Sequence, residues 1–412
     1  MTTTTRATVT ALLIILGAVP AMAADPHWVG SYGNSASEPF PAVPNLPIPP
    51  PAVVQGTLRY RLPLSEGGRR VQLRLSNEAG TQPLAIGGVS IALAADGVRA
   101  QPGTVRRVTF GERSDILVPA GAPVVSDAVD FTAPRAGVVI VSVYLAQAAT
   151  LAQAANGLQA AVVNGRDATL EAAPTDAVAL NARPLVAAVN VETRAEARTI
   201  VTLGDSITDG AVSASAEVRG WPGRLAQRLA AAQGRVHYAV SNQGISGNRL
   251  LRDGMGVTAL GRFDRDVLSV PGVSHLIVLE GINDIGMSGT SFFGNASPPV
   301  SAEQLIAAYQ QLIARAHQRG IRVYGGTLLP FTGAMYASAE KETIRQAVNH
   351  WIRTGGAFDA VIDFDAVVRD PADPAHMAPG FDPGDHLHPN DAGYRAMGDA
   401  IDLKLFAGAA RR

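Results

Sequence analysis

Four short segments carry side chains that could work together on an acyl group. Gly204-Asp205-Ser206-Ile207-Thr208-Asp209-Gly210 presents a serine in a turn-forming context. Asn242-Gln243-Gly244-Ile245-Ser246-Gly247-Asn248 and Gly281-Ile282-Asn283-Asp284 present glycines and amides. Asp385-His386-Leu387-His388-Pro389-Asn390 presents histidines beside carboxylates. A serine hydroxyl is a weak nucleophile until a base takes its proton. An imidazole suits that task, and a carboxylate on its far nitrogen fixes tautomer and orientation. Asp385 and His388 are close enough in sequence to pair within one loop. The tetrahedral intermediate of acyl transfer needs preorganised donors for its oxyanion. The backbone N–H groups of Ser206 and Gly244 and the side-chain amide of Asn283 are the candidates. The expected site is therefore Ser206 as nucleophile, His388 as base and Asp385 as its orienting carboxylate. Ser206, Gly244 and Asn283 form the expected oxyanion hole.

Each of these residues also has a plainer reading. Ser206 could cap a helix after a strand, Asn283 could cap a turn, and Gly244 could simply permit a positive φ. His386 competes with His388 as base. His386 and His388 beside Asp382 and Asp385 could also form a metal site. Serine chemistry requires no ion, so neither metal nor cofactor is expected. The Gly-x-Ser-x-Gly elbow of α/β-hydrolases is absent, because Thr208 stands where its last glycine would be. Asp205, Asp209 and Asp284 read as loop-orienting groups. Phe292, Phe293, Met335 and Tyr336 are candidates to line an acyl or ring pocket. His27, His237, His275, His317, His350 and His376 read as surface or satisfied core groups.

The elements that must position these segments alternate between strand and helix. Strands are expected at Thr199–Leu203, Val236–Val240, His275–Leu279, Ile321–Gly325 and Val361–Phe364. Helices are expected at Trp221–Ala232, Leu260–Leu268, Ser301–Arg319, Glu340–Arg353 and Asp391–Leu405. The third of these helices begins with a Ser301/Gln304 capping-box pattern and places Ile306, Tyr309, Leu312, Ile313 and Ala316 on one face. Such alternation predicts an α/β fold with a doubly wound parallel sheet, whose site lies at the carboxyl ends of the strands. The first three chemical segments follow the first three strands, and the fourth precedes the last helix.

Upstream the texture differs. Leu58–Leu62 and Val71–Leu75 alternate apolar and polar residues, and turn signals recur at Glu66-Gly67-Gly68, Asp96-Gly97 and Pro134-Arg135-Ala136-Gly137. This predicts a smaller antiparallel β-sandwich-like domain. Ala146–Pro184 is Ala-rich without clear period and reads as a surface excursion; Leu185–Val191 reads as one more strand. Residues 24–54 read as a Pro-rich lead-in. Residues 1–23 read as a signal peptide, with Arg6, an apolar run from Ala11 to Val19 and the small-x-small site Ala21-Met22-Ala23. The division is thus 1–23, 24–54, 55–195 and 196–412. Cleavage near Ala23 implies an exported protein, periplasmic or secreted.

Composition limits the function classes. The chain has 412 residues, 47% hydrophobic and 17% charged, with formal net charge -1, so no basic footprint for nucleic acid is present. There is no cysteine, which removes disulfides, thiolate metal sites and a thiol nucleophile. No segment after the leader is long and apolar enough to be an integral membrane anchor.

The four chemical segments resemble, in order, the four sequence blocks of the SGNH/GDSL hydrolases, over about residues 199 to 405. Ser206 matches the nucleophile block, Gly244 the second, Asn283 the third, and Asp385 with His388 the last. The resemblance implies a flavodoxin-like three-layer fold and metal-free ester hydrolysis. Val71–Asn77, Gly80–Leu84, Val118–Gly121 and Ser126-Asp127 are similar to a sandwich-like segment that precedes the hydrolase domain in one exported bacterial branch. The expected activity is a serine esterase acting through an acyl-enzyme. The substrate would be a small-molecule or polysaccharide ester, such as an acetylated carbohydrate or a short acyl or aryl ester. A non-catalytic carbohydrate-binding protein with a relic hydrolase domain is the alternative class. A lipase or lysophospholipase is a further one, against which stands the lack of an obvious apolar lid helix.

Overall fold

The computed structural model describes residues 25–39, 50–154, 159–215, 218–292 and 295–407. The expected signal peptide and most of the proline run, Pro41 to Pro49, lie outside the described residues.

The amino-terminal half is built from antiparallel strands. In chain order these are β1 (His27–Gly33), β2 (Ala52–Pro63), β3 (Gly68–Ser76), β4 (Leu84–Leu93), β5 (Arg106–Val108), β6 (Ile116–Val118), β7 (Pro123–Val125), β8 (Val129–Ala133), β9 (Val138–Leu151), β10 (Ala160–Asn164), β11 (Val178–Leu180) and β12 (Val186–Thr193). One sheet runs β1-β12-β3-β7 with β8 also on β3, and the other runs β11-β10-β2-β9-β4-β5 with β6 also on β4. The two sheets share one apolar core, to which alternate residues of β3 (Val71, Leu73, Leu75) and of β2 (Leu58, Tyr60, Leu62) contribute. Period-two alternation puts these side chains on one face and their polar neighbours on the other.

Two stretches depart from the sequence-based expectation. The lead-in contains β1, which pairs antiparallel with β12. Its glycines and serines (Gly30, Ser31, Gly33) hid the alternating pattern. The Ala-rich stretch is no loose excursion: it completes β9 and supplies β10 and β11. Its loop also covers the outer face of β2, where Arg59 donates to the carbonyls of Glu171 (2.8 Å) and Ala172 (3.1 Å). Small alanine side chains allow that close approach but leave no periodic signature to read.

The carboxy-terminal half alternates strand and helix. Its elements are β13 (Ala197–Gly204), α1 (Ser206–Asp209), α2 (Gly220–Ala231), β14 (His237–Gly244), α3 (Ala259–Phe263) continued by a π-turn Asp264–Leu268, β15 (Val273–Leu279), α4 (Ile282–Gly286) and a hairpin of β16 (Ser291–Phe292) and β17 (Asn295–Ala296). They continue with α5 (Ala302–His317), β18 (Arg322–Gly326), α6 (Ala339–Thr354), β19 (Ala360–Ile362), α7 (Phe364–Val368) and α8 (Asp391–Ala400), followed by a 3-10 turn Leu403–Phe406. The sheet order is β14-β13-β15-β18-β19, and every pairing is parallel. This is the flavodoxin-like order 2-1-3-4-5, with its switch point between β13 and β15. The capping box at Ser301 and Gln304 is formed. β13 and β15 are interior strands and are buried along most of their length, as a sheet covered on both faces requires.

Candidate active site

The switch point gathers the chemical segments. β13 ends at Gly204, and the chain turns at once into the single helical turn α1. The Asp205 carboxylate caps that turn by accepting the Ile207 N–H at 2.9 Å, and Gly210 closes it with φ of 88°. Ser206 is therefore the first helical residue, with its hydroxyl at the sheet edge. His388 arrives from the loop before α8: its Nε2 lies 2.8 Å from Ser206 Oγ, and its Nδ1 lies 2.7 Å from Asp385 Oδ2. The N–H groups of Leu387 and His388 both donate to Asp385 Oδ1 at 3.0 Å. Partial burial pushes the Asp385 carboxyl up, but its hydrogen bond to His388, that ring's charge and the two N–H donors outweigh this and hold it at about 2. An ionised carboxylate can only accept, so Nδ1 carries the proton and Nε2 is left to accept from the Ser206 hydroxyl. His386 takes a different partner, Asp382, with Nδ1 to Oδ2 of 2.5 Å, and its backbone sits at φ of 58°. Among the described residues no group of three or more His, Cys, Asp or Glu side chains is arranged to hold a metal ion.

The oxyanion candidates divide. Asn283, in α4, donates from Nδ2 to the Asn248 carbonyl at 3.0 Å, leaving its second amide proton uncommitted by that bond. The Ser206 N–H takes no partner among the described residues. Gly244 does not fit its expected role, because its N–H donates to Asn242 Oδ1 at 2.9 Å. What Gly244 supplies is closeness: a Cβ there would meet Asp209 Cα at 2.7 Å and the Thr208 carbonyl carbon at 2.8 Å. Three residues on, Gly247 has φ of 75° and an N–H with no partner among the described residues. It lies between Ser246, whose hydroxyl donates to Asp209 Oδ2 (3.0 Å), and Asn248, whose carbonyl Asn283 holds. Reading the first glycine of Gly-Ile-Ser-Gly as the donor missed this. The asparagine at position 242, able to take up the N–H two residues ahead, was the available signal.

Other functional supports were equally hidden. The Tyr336 hydroxyl is buried and donates to Asn283 Oδ1 at 3.2 Å, which turns the amide so that Nδ2 faces the second loop. Tyr336 thus steers the Asn283 amide. Met335 beside it is exposed, and Phe293 lies outside the described residues. Asp284 accepts the N–H groups of Leu250 (2.7 Å) and Leu251 (2.9 Å), which pins the second loop; burial nevertheless pushes its carboxyl up to about 6. Arg262 is buried and donates to the carbonyls of Gly204 (3.0 Å) and Gln243 (2.6 Å) and to Asn248 Oδ1 (2.9 Å), joining the ends of β13 and β14. Burial pushes the Asp205 carboxyl up to about 7, against the pull of the Ile207 N–H and the His388 and Arg262 charges. Burial, with Asp205 nearby, likewise raises Glu280 well above the ordinary carboxylate range.

An open, all-parallel sheet of order 2-1-3-4-5 defines the class as a doubly wound, flavodoxin-like α/β domain, with a serine just past the end of its first strand. Residues 202–396 match the model of the GDSL-like lipase/acylhydrolase family. No curated protein matches the chain. Similar solved structures include an acetylxylan esterase, Axe2, from Geobacillus stearothermophilus, at 19% identity, covering 52% of this chain and 96% of that one, with a TM-score of 0.38. A member of the lipolytic protein G-D-S-L family from Veillonella parvula is 20% identical, with 51% and 98% covered and a TM-score of 0.35. A GDSL-like lipase from Bacteroides thetaiotaomicron is 18% identical, with 51% and 88% covered and a TM-score of 0.36.

Proposed function

We propose that this protein is an exported serine esterase that cleaves a carboxylic ester through an acyl-enzyme. The observation that carries the reading is the continuous chain from Ser206 Oγ through both His388 nitrogens to Asp385. In the proposed cycle Ser206 Oγ attacks the ester carbonyl as His388 Nε2 takes its proton. Asp385 steadies the imidazolium that forms. The oxyanion is received by the N–H groups of Ser206 and Gly247 and by Asn283 Nδ2. His388 then returns the proton to the leaving alcohol. Water enters, loses a proton to His388 and bonds to the acyl carbon; the acyl–Oγ bond breaks, Ser206 Oγ takes the proton back from His388, and the acid leaves. No step calls for a metal or cofactor.

The small-molecule or polysaccharide ester expected from the sequence remains the substrate class. A short acyl group, such as acetyl on a carbohydrate, is the first to test. Export rests on the leader-like residues 1–23; among the described residues no helix is long and apolar enough to cross a membrane. The test is hydrolysis of acetylated sugars and of nitrophenyl esters of rising chain length by wild type, Ser206→Ala and His388→Ala. Both variants should lose turnover by several orders of magnitude and to a similar extent, since the pair acts as a unit. Turnover retained in folded Ser206→Ala overturns the mechanism. A wild type that binds sugars but hydrolyses nothing favours the carbohydrate-binding alternative.

A further inference from the structure

We propose that Arg183, which belongs to the β-sandwich half of the chain, is a positioning residue of the hydrolase site, and that the sandwich is thereby part of the catalytic unit. The inference rests on the esterase reading above. Arg183 lies between β11 and β12, in the Ala-rich stretch that carries no readable pattern. It is 6% exposed, and its guanidinium reaches across to the parallel sheet. Nη1 donates to Asp209 Oδ2 at 2.8 Å, and Nη2 donates to the Gly244 carbonyl at 2.7 Å. Nε donates to the Ser35 carbonyl at 2.8 Å, just past β1, and the Arg183 N–H donates to the Ala152 carbonyl at 2.7 Å. The fork is thus held from the sandwich side and spends its two terminal nitrogens on the hydrolase side.

Those two acceptors belong to the two loops that must stay in register for catalysis. Asp209 is the last residue of α1, the turn that begins with Ser206, and its own N–H donates to the Asp205 carbonyl at 2.8 Å. Gly244 opens the loop that presents Gly247. The same Asp209 carboxylate also accepts Ser246 Oγ at 3.0 Å and, on its other oxygen, Arg219 Nη2 at 2.8 Å. One guanidinium therefore ties the nucleophile turn to the oxyanion loop from outside the hydrolase fold. A planar fork suits this task, since it fixes direction as well as distance. Asp209 is fully buried between Arg183 and Arg219, so loss of Arg183 removes a cationic partner from a buried carboxylate and the guanidinium donor from the Gly244 carbonyl. The result is a shifted loop at a site where a displacement of about 1 Å can cost roughly 10²-fold in rate.

The test follows phosphonylation of Ser206 by an alkyl fluorophosphonate. In that reaction Ser206 Oγ forms a bond to phosphorus, fluoride leaves, and the hydroxyl proton passes to His388. The readout is the labelling rate per folded molecule, with kcat and KM on a nitrophenyl ester and thermal unfolding measured alongside. Arg183→Ala should label about 10²-fold more slowly and lose kcat with KM nearly unchanged. Arg183→Lys, which keeps the charge but cannot reach both acceptors, should fall between it and wild type. Added ethylguanidinium should restore part of the rate in Arg183→Ala. If Arg183→Ala does not fold, Arg183→Lys decides the matter by the same readout. A labelling rate within about threefold of wild type in folded Arg183→Ala or Arg183→Lys, with only the melting temperature lowered, overturns the inference. A wild type that fails to label at Ser206 overturns the esterase reading itself, and the positioning role with it.

Discussion

Asn283 has both ends of its amide engaged, one by Tyr336 and one by the Asn248 carbonyl. That double hold is what a preorganised oxyanion donor requires, because no reorientation is left for the moment of reaction. Asn283→Ala should lower kcat by roughly 10²–10³-fold with little change in KM, since the bond strengthens as charge develops. Tyr336→Phe removes only the hydroxyl that steers the amide. It should cost about one hydrogen bond, roughly 1 kcal/mol or several-fold in kcat. Steady-state kinetics of both variants checks the ranking, and equal effects would mean that Tyr336 does more than steer. The buried carboxyls beneath the site make a prediction about pH. Asp205 and Asp284 have folded-state values of about 7 and about 6, above the unfolded value of about 4. A raised carboxyl stabilises the fold while protonated, so this stability is present below about pH 4 and is lost as pH rises through 6 to 7. Asp205→Asn keeps the acceptor for Ile207 and cannot ionise. Its melting temperature relative to wild type should therefore climb between pH 4 and pH 7. A difference that does not vary with pH would contradict burial as the cause.

At the scale of elements, the site depends on how tightly β13, α1 and the loop after β14 are set against one another. Gly244 shows the constraint. Its N–H is committed to Asn242, yet any side chain there would strike the backbone of α1. Backbone cannot step aside as a flexible side chain can. Gly244→Ala should thus displace the nucleophile turn and lower kcat by about 10²-fold, although no donor has been removed. Gly247→Ala meets mainly the flexible Met255 side chain and retains its N–H, but it must hold a left-handed backbone at roughly 1–2 kcal/mol. The two variants separate crowding from strain: the first should impair turnover more than stability, and the second should show a lowered melting temperature. Unfolding curves and kcat for the pair test this, and a silent Gly244→Ala would mean that α1 tolerates the shift. The alternating strands and helices of this half were legible because their apolar periods are regular. β1 and the Ala-rich strands were not, because glycine, serine and alanine carry almost no periodic contrast.

Across the whole molecule, the sandwich and the parallel sheet are joined by buried polar contacts. The Gly30 N–H donates to Thr199 Oγ1 and the Pro271 carbonyl, Ser65 Oγ accepts the Val240 N–H at 2.9 Å, and Arg135 donates to the Leu229 carbonyl at 2.9 Å. A Cβ on Gly33 would drive into Ser241 and Gln243. Separating the halves would leave many such groups without partners, at about 1–3 kcal/mol for each one not reached by water. The two halves should accordingly unfold together. Calorimetry should give a single transition whose calorimetric and van't Hoff enthalpies agree, and two resolved transitions would show that the halves are energetically independent.

The sequence by itself determined the local chemistry of this protein. Ser206, Asn283, Asp385 and His388 stand in short segments whose residue types suit acyl transfer, and regular periods placed those segments at strand ends and before the last helix. Tertiary structure alone decided which N–H is free, how the amide is turned and what braces the site from outside. Gly244 and Gly247 are equivalent glycines until a side chain claims one of their N–H groups. Tyr336 lies 53 residues from the asparagine it orients, and Arg183 lies 26 and 61 residues from its two acceptors. Such bonds are written in no local pattern, because their energy depends on a distance and an angle that exist only once both halves of the chain have folded around the same core.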